Sequence, residues 1–338
     1  MAFFSQNALF SMLRLLGLAS ALLAIVFVLN NFLIFGVDAP GLINTLRLGD
    51  VLGVAQPKQG YNIALVLLGI MQTVVVGLAV AYVVWHCRKT SDLRRDATWM
   101  DSTSAYVVRL AFWAVLLVGL ADAALSFLRV EGFHTVLFGD AGGAAIALPS
   151  QRGFFVHIPL ILLAGLIALK DKSVSFVWLT LLVVVAEFLI VVARFIYGYE
   201  QTFMGDLVRF WYAALFLFAS AYTLKEDGHV RVDVLYAGLQ RRTKSILNII
   251  GTVFFGIPLC WLILMRGLWG KSSLINSPMM NFETSMSGFG MYVKYLMAAF
   301  LVVFALSMIM QFTAYLFNSM ADIEENLSDD DSGVEVVA

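Results

Sequence analysis

Charged residues are scarce in this chain of 338 residues. Asp, Glu, Lys and Arg together make up 13% of the sequence and hydrophobic residues 61%, whereas about 25% charged residues is typical of a soluble domain. Uncharged apolar runs recur along the chain at about 20 residues, the length that crosses a bilayer as a helix. The composition therefore excludes an ordinary soluble domain and predicts an all-α, polytopic integral membrane protein.

Cysteine, histidine and net charge are scarce as well, and each shortage disfavours a class of function. The two cysteines, Cys87 and Cys260, lie far apart in the sequence and offer neither a disulfide framework nor a metal site. None of the four histidines forms a pair with metal-ligand spacing, so a membrane haem or zinc enzyme is poorly supported. A net charge of −1 gives no basic surface for nucleic acid. These shortages disfavour a haem or zinc site and a nucleic-acid partner, although a membrane-embedded enzyme or redox subunit stays an alternative.

Long apolar runs are what the sequence has in abundance. The first run is longer than the core of a signal peptide, which is roughly 7–15 residues, so we expect it to remain as a helix. The links 37–61 and 130–152 are rich in glycine and predict loops. Eight spanning helices are predicted, at 9–35, 62–86, 106–129, 153–169, 173–197, 207–224, 246–269 and 292–317.

The basic residues of the links predict the orientation. If both termini are cytoplasmic, the inside links contain eleven Lys and Arg residues and the outside links contain four, among them Arg152. Cytoplasmic links of membrane proteins carry the excess of basic residues. We therefore predict eight helices in contact with membrane lipids, with both termini in the cytoplasm.

Two acids lie inside predicted spans, Asp122 and Glu187, and each is followed seven residues later by an arginine. Seven residues are two helical turns, so each acid and its arginine share a face but lie about 10 Å apart. One reading is a site for a coupling ion or a proton, which would make the chain a self-sufficient ion channel or carrier. The other reading is a packing contact with a neighbouring helix, or a protonated buried acid.

Polar residues also cluster on both sides of the sixth predicted helix. The turn after that helix, Lys225–Asp233, contains Gly228, which suits a left-handed helix cap. One interpretation is a solvated basic turn that leads into an interfacial helix. The other is a corner fixed by side-chain contacts, in which Asp233 pairs with a basic residue and His229 caps a backbone carbonyl. Before the helix and in its first turns, the candidates are Arg194, Asp206, Arg209 and Trp211.

This order of residues resembles the DctQ-type small membrane subunit of tripartite ATP-independent periplasmic (TRAP) transporters. In that family a helix ends in an Arg-aromatic pair, as at Arg194, and an acid and an arginine open the next helix. The resemblance covers about residues 173–320, as a four-helix core. It departs at 202–206, where the family often has a Trp before a Glu-Glu pair. The most specific element is a Gly-His-hydrophobic-x-Val-Asp motif, matched by Gly228, His229, Val230, Val232 and Asp233.

The resemblance implies three regions and a scaffold function, so the chain would be no enzyme and would hold no cofactor. Residues 1–172 would be an extension with about four spanning helices, and residues 321–338 an acidic disordered tail. The chain would support a separate large membrane subunit of the elevator type in a bacterial inner membrane. A periplasmic substrate-binding protein would deliver a carboxylate or similar organic solute. Sodium would drive uptake, with the sodium and substrate sites on the large subunit.

The resemblance also implies structural roles for the polar candidates, in two groups. Arg194, Asp206, Arg209 and Trp211 would lie near the outer interface. Gly228, His229, Arg231 and Asp233 would organise the inner corner.

Overall fold

A computed structural model of the chain describes residues 6–45, 62–89, 92–173, 176–199, 201–225, 236, 238–285 and 290–332. Within these ranges every regular element is a helix and none is a strand. The all-helical prediction is therefore confirmed for this part of the chain.

Eight helices in the described part are long and apolar enough to cross a membrane, which confirms the predicted number. Three shorter helices, Gly41–Thr45, Phe133–Ile146 and Asn276–Met280, lie between them. The eight are α1 (Gln6–Gly36), α2 (Ile63–Lys89), α3 (Leu93–Val130), α4 (Pro149–Lys170), α5 (Phe176–Tyr197), α6 (Thr202–Lys225), α7 (Arg241–Leu268) and α8 (Lys294–Ser332).

Helix α3 begins at Leu93, well before the predicted start at residue 106. Asp92 caps this end, because its Oδ1 accepts the backbone N–H of Arg95 at 3.0 Å. A side-chain oxygen at this position satisfies one of the N–H groups that a helix start leaves without a partner. Apolar length predicts only the membrane-crossing part of a helix, so the polar first turns were missed.

Helix α8 continues to Ser332, so the structure places residues 321–332 in a helix where a disordered tail was expected to begin. Ion pairs hold its acidic end. Arg94 Nη2 lies 2.7 Å from Asp322 and 2.9 Å from Glu325, and Arg241 Nη2 lies 2.9 Å from Asp322. The acidic residues therefore stabilise the helix end through basic partners that are distant in the sequence.

The link 130–152 is not the loop that its glycines suggested. Most of it forms the helix Phe133–Ile146, with a kink at Gly139, whose φ of 70° suits a residue without a Cβ. Pro149 then starts α4, as proline often does at a first helical position. Arg152 lies in that first turn and is buried, so it does not count among the basic residues of an outside link.

Helices α4 and α7 each contain one π-helical turn directly before an Ile-Pro pair. The turns are Gly153–His157 and Thr252–Gly256, and the prolines that follow are Pro159 and Pro258. A proline has no N–H, and its ring collides with the carbonyl four residues earlier. The wider turn bonds each N–H to a carbonyl five residues back. This geometry accommodates both prolines inside continuous spans.

The chain forms two compact units, and each combines residues from the extension with residues from 173–320. Unit 1 contains residues 1–103, 227–269 and 308–338, and unit 2 contains 104–226 and 270–307. In unit 1, the Trp261 Nε1–H donates to Ser20 Oγ at 2.7 Å. In unit 2, the Trp211 Nε1–H donates to the Val115 carbonyl at 3.2 Å. Inside each unit, the extension therefore packs directly against the other region.

Candidate functional site

Asp122 lies at the centre of a buried polar cluster in unit 2. Its Oδ1 accepts from Arg152 Nη1 at 2.9 Å and lies 3.1 Å from His157 Nε2, and all three side chains are inaccessible to solvent. Its Oδ2 accepts the backbone N–H of Tyr292 at 2.7 Å. A buried carboxylate needs such compensation, because burial without partners costs many kcal/mol. Three groups therefore hold this acid.

His157 links the cluster to the first turn of α8. Its Nδ1 lies 2.8 Å from the Tyr295 hydroxyl, and the two rings stack 5.9 Å apart. A neutral imidazole can donate from Nε2 to Asp122 and accept from the tyrosine at Nδ1. The ring is then satisfied without adding a second positive charge beside Arg152.

Arg152 neutralises Asp122 and contacts two further elements. Its Nη1 donates to Ser126 Oγ at 3.2 Å, and its Nε donates to the Ile146 carbonyl at 3.1 Å. The guanidinium lies 4.3 Å from the centre of the Tyr292 ring, which gives a cation–π contact. Its Nη2 has no hydrogen-bond partner among the residues that the structure describes. The arginine therefore joins α3, the helix before α4 and the segment that precedes α8.

Two aspartates hold the segment Gly290–Tyr292, which immediately precedes α8. The N–H groups before a helix start have no partner within the helix. Asp206 Oδ2 accepts the Met291 N–H at 3.1 Å, next to the Tyr292 N–H that Asp122 accepts. Arg129 donates to the Gly290 carbonyl at 2.8 Å and to the Tyr292 hydroxyl. One carboxylate from α3 and one from α6 thus fix successive backbone groups.

The other predicted residues near α6 lie in different surroundings. Arg209 is exposed and lies 3.3 Å from Asp206. Trp211 is only 3% exposed, since it packs against α3 and bonds to the Val115 carbonyl. Arg194 is exposed in the last turn of α5. The structure thus brings Asp206 and Arg209 together and buries Trp211 between helices.

Glu187 lies halfway along α5 and is exposed, in contrast to Asp122. It makes no hydrogen bond or ion pair with any described residue. Large apolar side chains surround it on the same exposed side, among them Val184 and Val191. Asp122 and Glu187 therefore do not share one set of contacts, although both belong to unit 2.

Unit 1 contains a second, partly buried cluster with the same three residue types. Asp96, in the first turn of α3, accepts from Arg14 Nε at 2.8 Å and lies 2.8 Å from His86 Nε2. The side chains of Arg14 and Asp96 are 5% and 7% exposed. The sequence did not predict this cluster, because Arg14, His86 and Asp96 belong to different predicted helices or links.

The sequence did contain a signal for the first cluster. An arginine and a histidine, Arg152 and His157, lie at the start of the apolar run that follows Asp122. Basic residues at the start of the neighbouring helix are thus the sequence feature that indicates partners for Asp122. The predicted inner-corner residues Gly228, His229, Arg231 and Asp233 lie outside the described residues. In the described part, no group of three or more His, Cys, Asp or Glu residues could hold a metal ion.

The fold and its buried clusters define a polytopic, all-helical membrane protein, and a family comparison is more specific. Residues 175–321 match the family model of the tripartite ATP-independent periplasmic transporters, DctQ component. Residues 175–321 are therefore similar to the DctQ component, and four of the eight candidate spans in the described part precede this region. Neither the curated proteins nor the solved structures gave a match.

Proposed function

We propose that this chain is the scaffold subunit of a sodium-driven TRAP transporter in a bacterial inner membrane. It supports a separate large membrane subunit of the elevator type and works with a periplasmic substrate-binding protein. The transported solute is a carboxylate or a similar organic compound, and both termini of the chain are cytoplasmic. The observation that carries the proposal is the match of residues 175–321 to the DctQ component.

The state of the buried acids supports a scaffold over a self-sufficient channel or carrier. An ion-coupling acid has to exchange its ligand during transport. Asp122 is instead held by Arg152, His157 and the Tyr292 N–H, at zero solvent exposure. Glu187 does not belong to any described group of three or more His, Cys, Asp or Glu residues that could hold a metal ion. The geometry of Asp122 is that of a packing contact.

Glu187 is the residue that we propose for contact with the large subunit. A carboxylate in the apolar part of a membrane helix is costly, and such groups face protein or water rather than lipid. Within this chain, no described residue neutralises it. A basic or hydrogen-bonding side chain on a partner helix supplies the missing interaction.

The test is a pull-down of the tagged chain from its native membrane in mild detergent, with mass spectrometry of the proteins that co-purify. We expect a polytopic permease as the main partner, and we expect solute uptake by that permease to require this chain. Glu187→Gln should reduce the recovered permease several-fold, because a polar contact in an apolar interface is lost. The matched control is Asp140→Asn, which removes an exposed carboxylate from the helix Phe133–Ile146.

Two results would contradict the proposal. Recovery of the chain alone after gentle cross-linking, together with ion flux by the pure protein in liposomes, would favour the channel or carrier. A permease that transports at full rate without this chain would refute the scaffold role. If the permease is recovered equally with Glu187→Gln and with wild type, the scaffold role stands and the contact lies elsewhere.

A further inference from the structure

A groove runs along unit 2 between α3, α5 and α6, and its two ends differ in chemistry. One end is a cavity of about 250 Å³ with an apolar wall that includes Leu120, Ala124 and Leu189. The other end is a cavity of about 350 Å³ that includes Glu131 and Gln201. The two cavities share the lining residues Phe127, Phe203 and Met204, so they adjoin.

The length of the groove corresponds to one leaflet of a bilayer. From Leu120 to Val130, helix α3 rises about 15 Å at 1.5 Å per residue. This is half of the hydrocarbon core of a membrane, which is about 30 Å thick. The polar end lies where α3 leaves the span, and the exposed aromatics Phe133 and Tyr199 line it. Aromatic side chains at this level are typical of the membrane interface.

A single negative charge marks the polar end. Glu131 Oε1 accepts from Gln201 Nε2 at 3.0 Å and from the Tyr199 hydroxyl at 3.3 Å. These two donors are neutral, so they orient the carboxylate without neutralising it. An ionised carboxylate offers about four lone-pair sites, which leaves capacity for a cationic donor. A groove that is apolar over one leaflet and acidic at the interface complements an amphiphile with a positively charged head.

We propose that this groove binds an aminophospholipid, with one acyl chain against the apolar wall and the ammonium group against Glu131. The site requires α3, which belongs to the N-terminal extension, together with α5 and α6 of the DctQ domain. The lipid fills the space between these helices and fastens the extension to the domain. The proposal depends only on the chain being a membrane protein, so it stands or falls independently of the transporter partners.

Native mass spectrometry of the intact chain in mild detergent tests the headgroup. The probes are phosphatidylethanolamine and phosphatidylglycerol with the same acyl chains, added in equal amounts. We expect one tightly retained phosphatidylethanolamine. Glu131→Gln should lower the preference for it about fivefold, as expected for one partly exposed ion pair. The control Asp140→Asn, an exposed acid outside the groove, should leave the preference unchanged.

A second pair of variants tests the acyl chain. Ala124 is exposed in the groove wall, so Ala124→Phe fills the space that the acyl chain would occupy. It should abolish retention of both lipids. Ala81→Phe places the same ring on an exposed part of α2 and should not affect binding. If Ala124→Phe does not yield a monodisperse protein, Ala124→Leu replaces it, with a several-fold weaker retention expected.

Equal retention of both lipids, or a preference that survives Glu131→Gln, would overturn the headgroup assignment. If Ala124→Phe still retains either lipid, the groove is not the binding site. Loss of the bound lipid when the large subunit associates would show that protein occupies the groove in the complex, which also contradicts the proposal.

Discussion

The charge of Asp122 is balanced inside the chain, and this balance makes the residue sensitive to substitution. Asp122→Asn removes the negative charge and leaves the guanidinium of Arg152, which has zero solvent exposure, without its counter-ion. Removing one partner of a buried ion pair typically costs about 3–5 kcal/mol. We expect a loss of this size in the free energy of unfolding, measured by thermal or denaturant unfolding in detergent.

Glu187→Gln is the matched control for Asp122→Asn, because it neutralises an acid that has no partner in the described chain. Its effect on unfolding should stay within about 0.5 kcal/mol, as for other surface substitutions. The double variant Asp122→Asn with Arg152→Gln should recover part of the loss, which the coupling term of a double-mutant cycle reports. Equal stability of Asp122→Asn and Glu187→Gln would contradict the packing role and revive the ion-site interpretation.

The sequence predicted which individual residues are unusual, but not which residues contact one another. Asp122 and Asp206 are conspicuous because polar groups are rare among apolar runs. Their partners include the backbone N–H groups of Met291 and Tyr292, and the identity of a residue does not show what its backbone binds. Arg152 was assigned to a link, because the start of α4 cannot be located from hydropathy once a buried charge lies in its first turn.

At the scale of the helices, the close approach of α3 and α6 depends on Gly119. A Cβ added at this glycine would lie 2.6 Å from Trp211 Nε1 and 3.2 Å from Cε2. Gly119→Ala should therefore push the indole away from the Val115 carbonyl and destabilise the protein by about 1–3 kcal/mol, as overpacking does. The measurement is the free energy of unfolding in detergent.

Gly77→Ala in α2 is the control for Gly119→Ala, since no heavy atom lies within 4 Å of the added Cβ. It should be neutral or stabilise by about 0.5–1 kcal/mol, because alanine favours a helix interior. Trp211→Phe, which removes the Nε1 atom, should relieve part of the cost of Gly119→Ala in the double variant. A cost that is unchanged by Trp211→Phe would place the strain elsewhere.

Helix number was predictable from the sequence, whereas helix ends and internal irregularities were not. Apolar length reports the membrane crossing, so all eight spans were found. The polar ends of α3 and α8 depend on pairs such as Arg94 with Asp322, which are distant in sequence. The prolines Pro159 and Pro258 were visible, but the π-helical turns before them result from steric relief, which residue spacing does not encode.

At the scale of the whole molecule, the extension is part of both compact units. Unit 1 contains the bond from Trp261 to Ser20, and unit 2 contains the bonds from Trp211 to Val115 and from the Tyr292 N–H to Asp122. Each bond joins residues 1–172 to residues 173–320. Residues 173–320 without the extension would therefore lose packing partners in both units, although each of their helices could still insert into the bilayer.

A chain divided between Lys172 and Ser173 tests this dependence. Residues 173–338, tagged and expressed alone, should yield little monodisperse protein. When residues 1–172 are co-expressed as a separate polypeptide, we expect the two parts to co-purify as one complex. Asp122→Asn in the co-expressed part should reduce its recovery, because the bond to the Tyr292 N–H then loses its charged acceptor. If residues 173–338 alone are monodisperse and still recover the permease, the extension is an independent module, and the contacts in both units are dispensable for the scaffold.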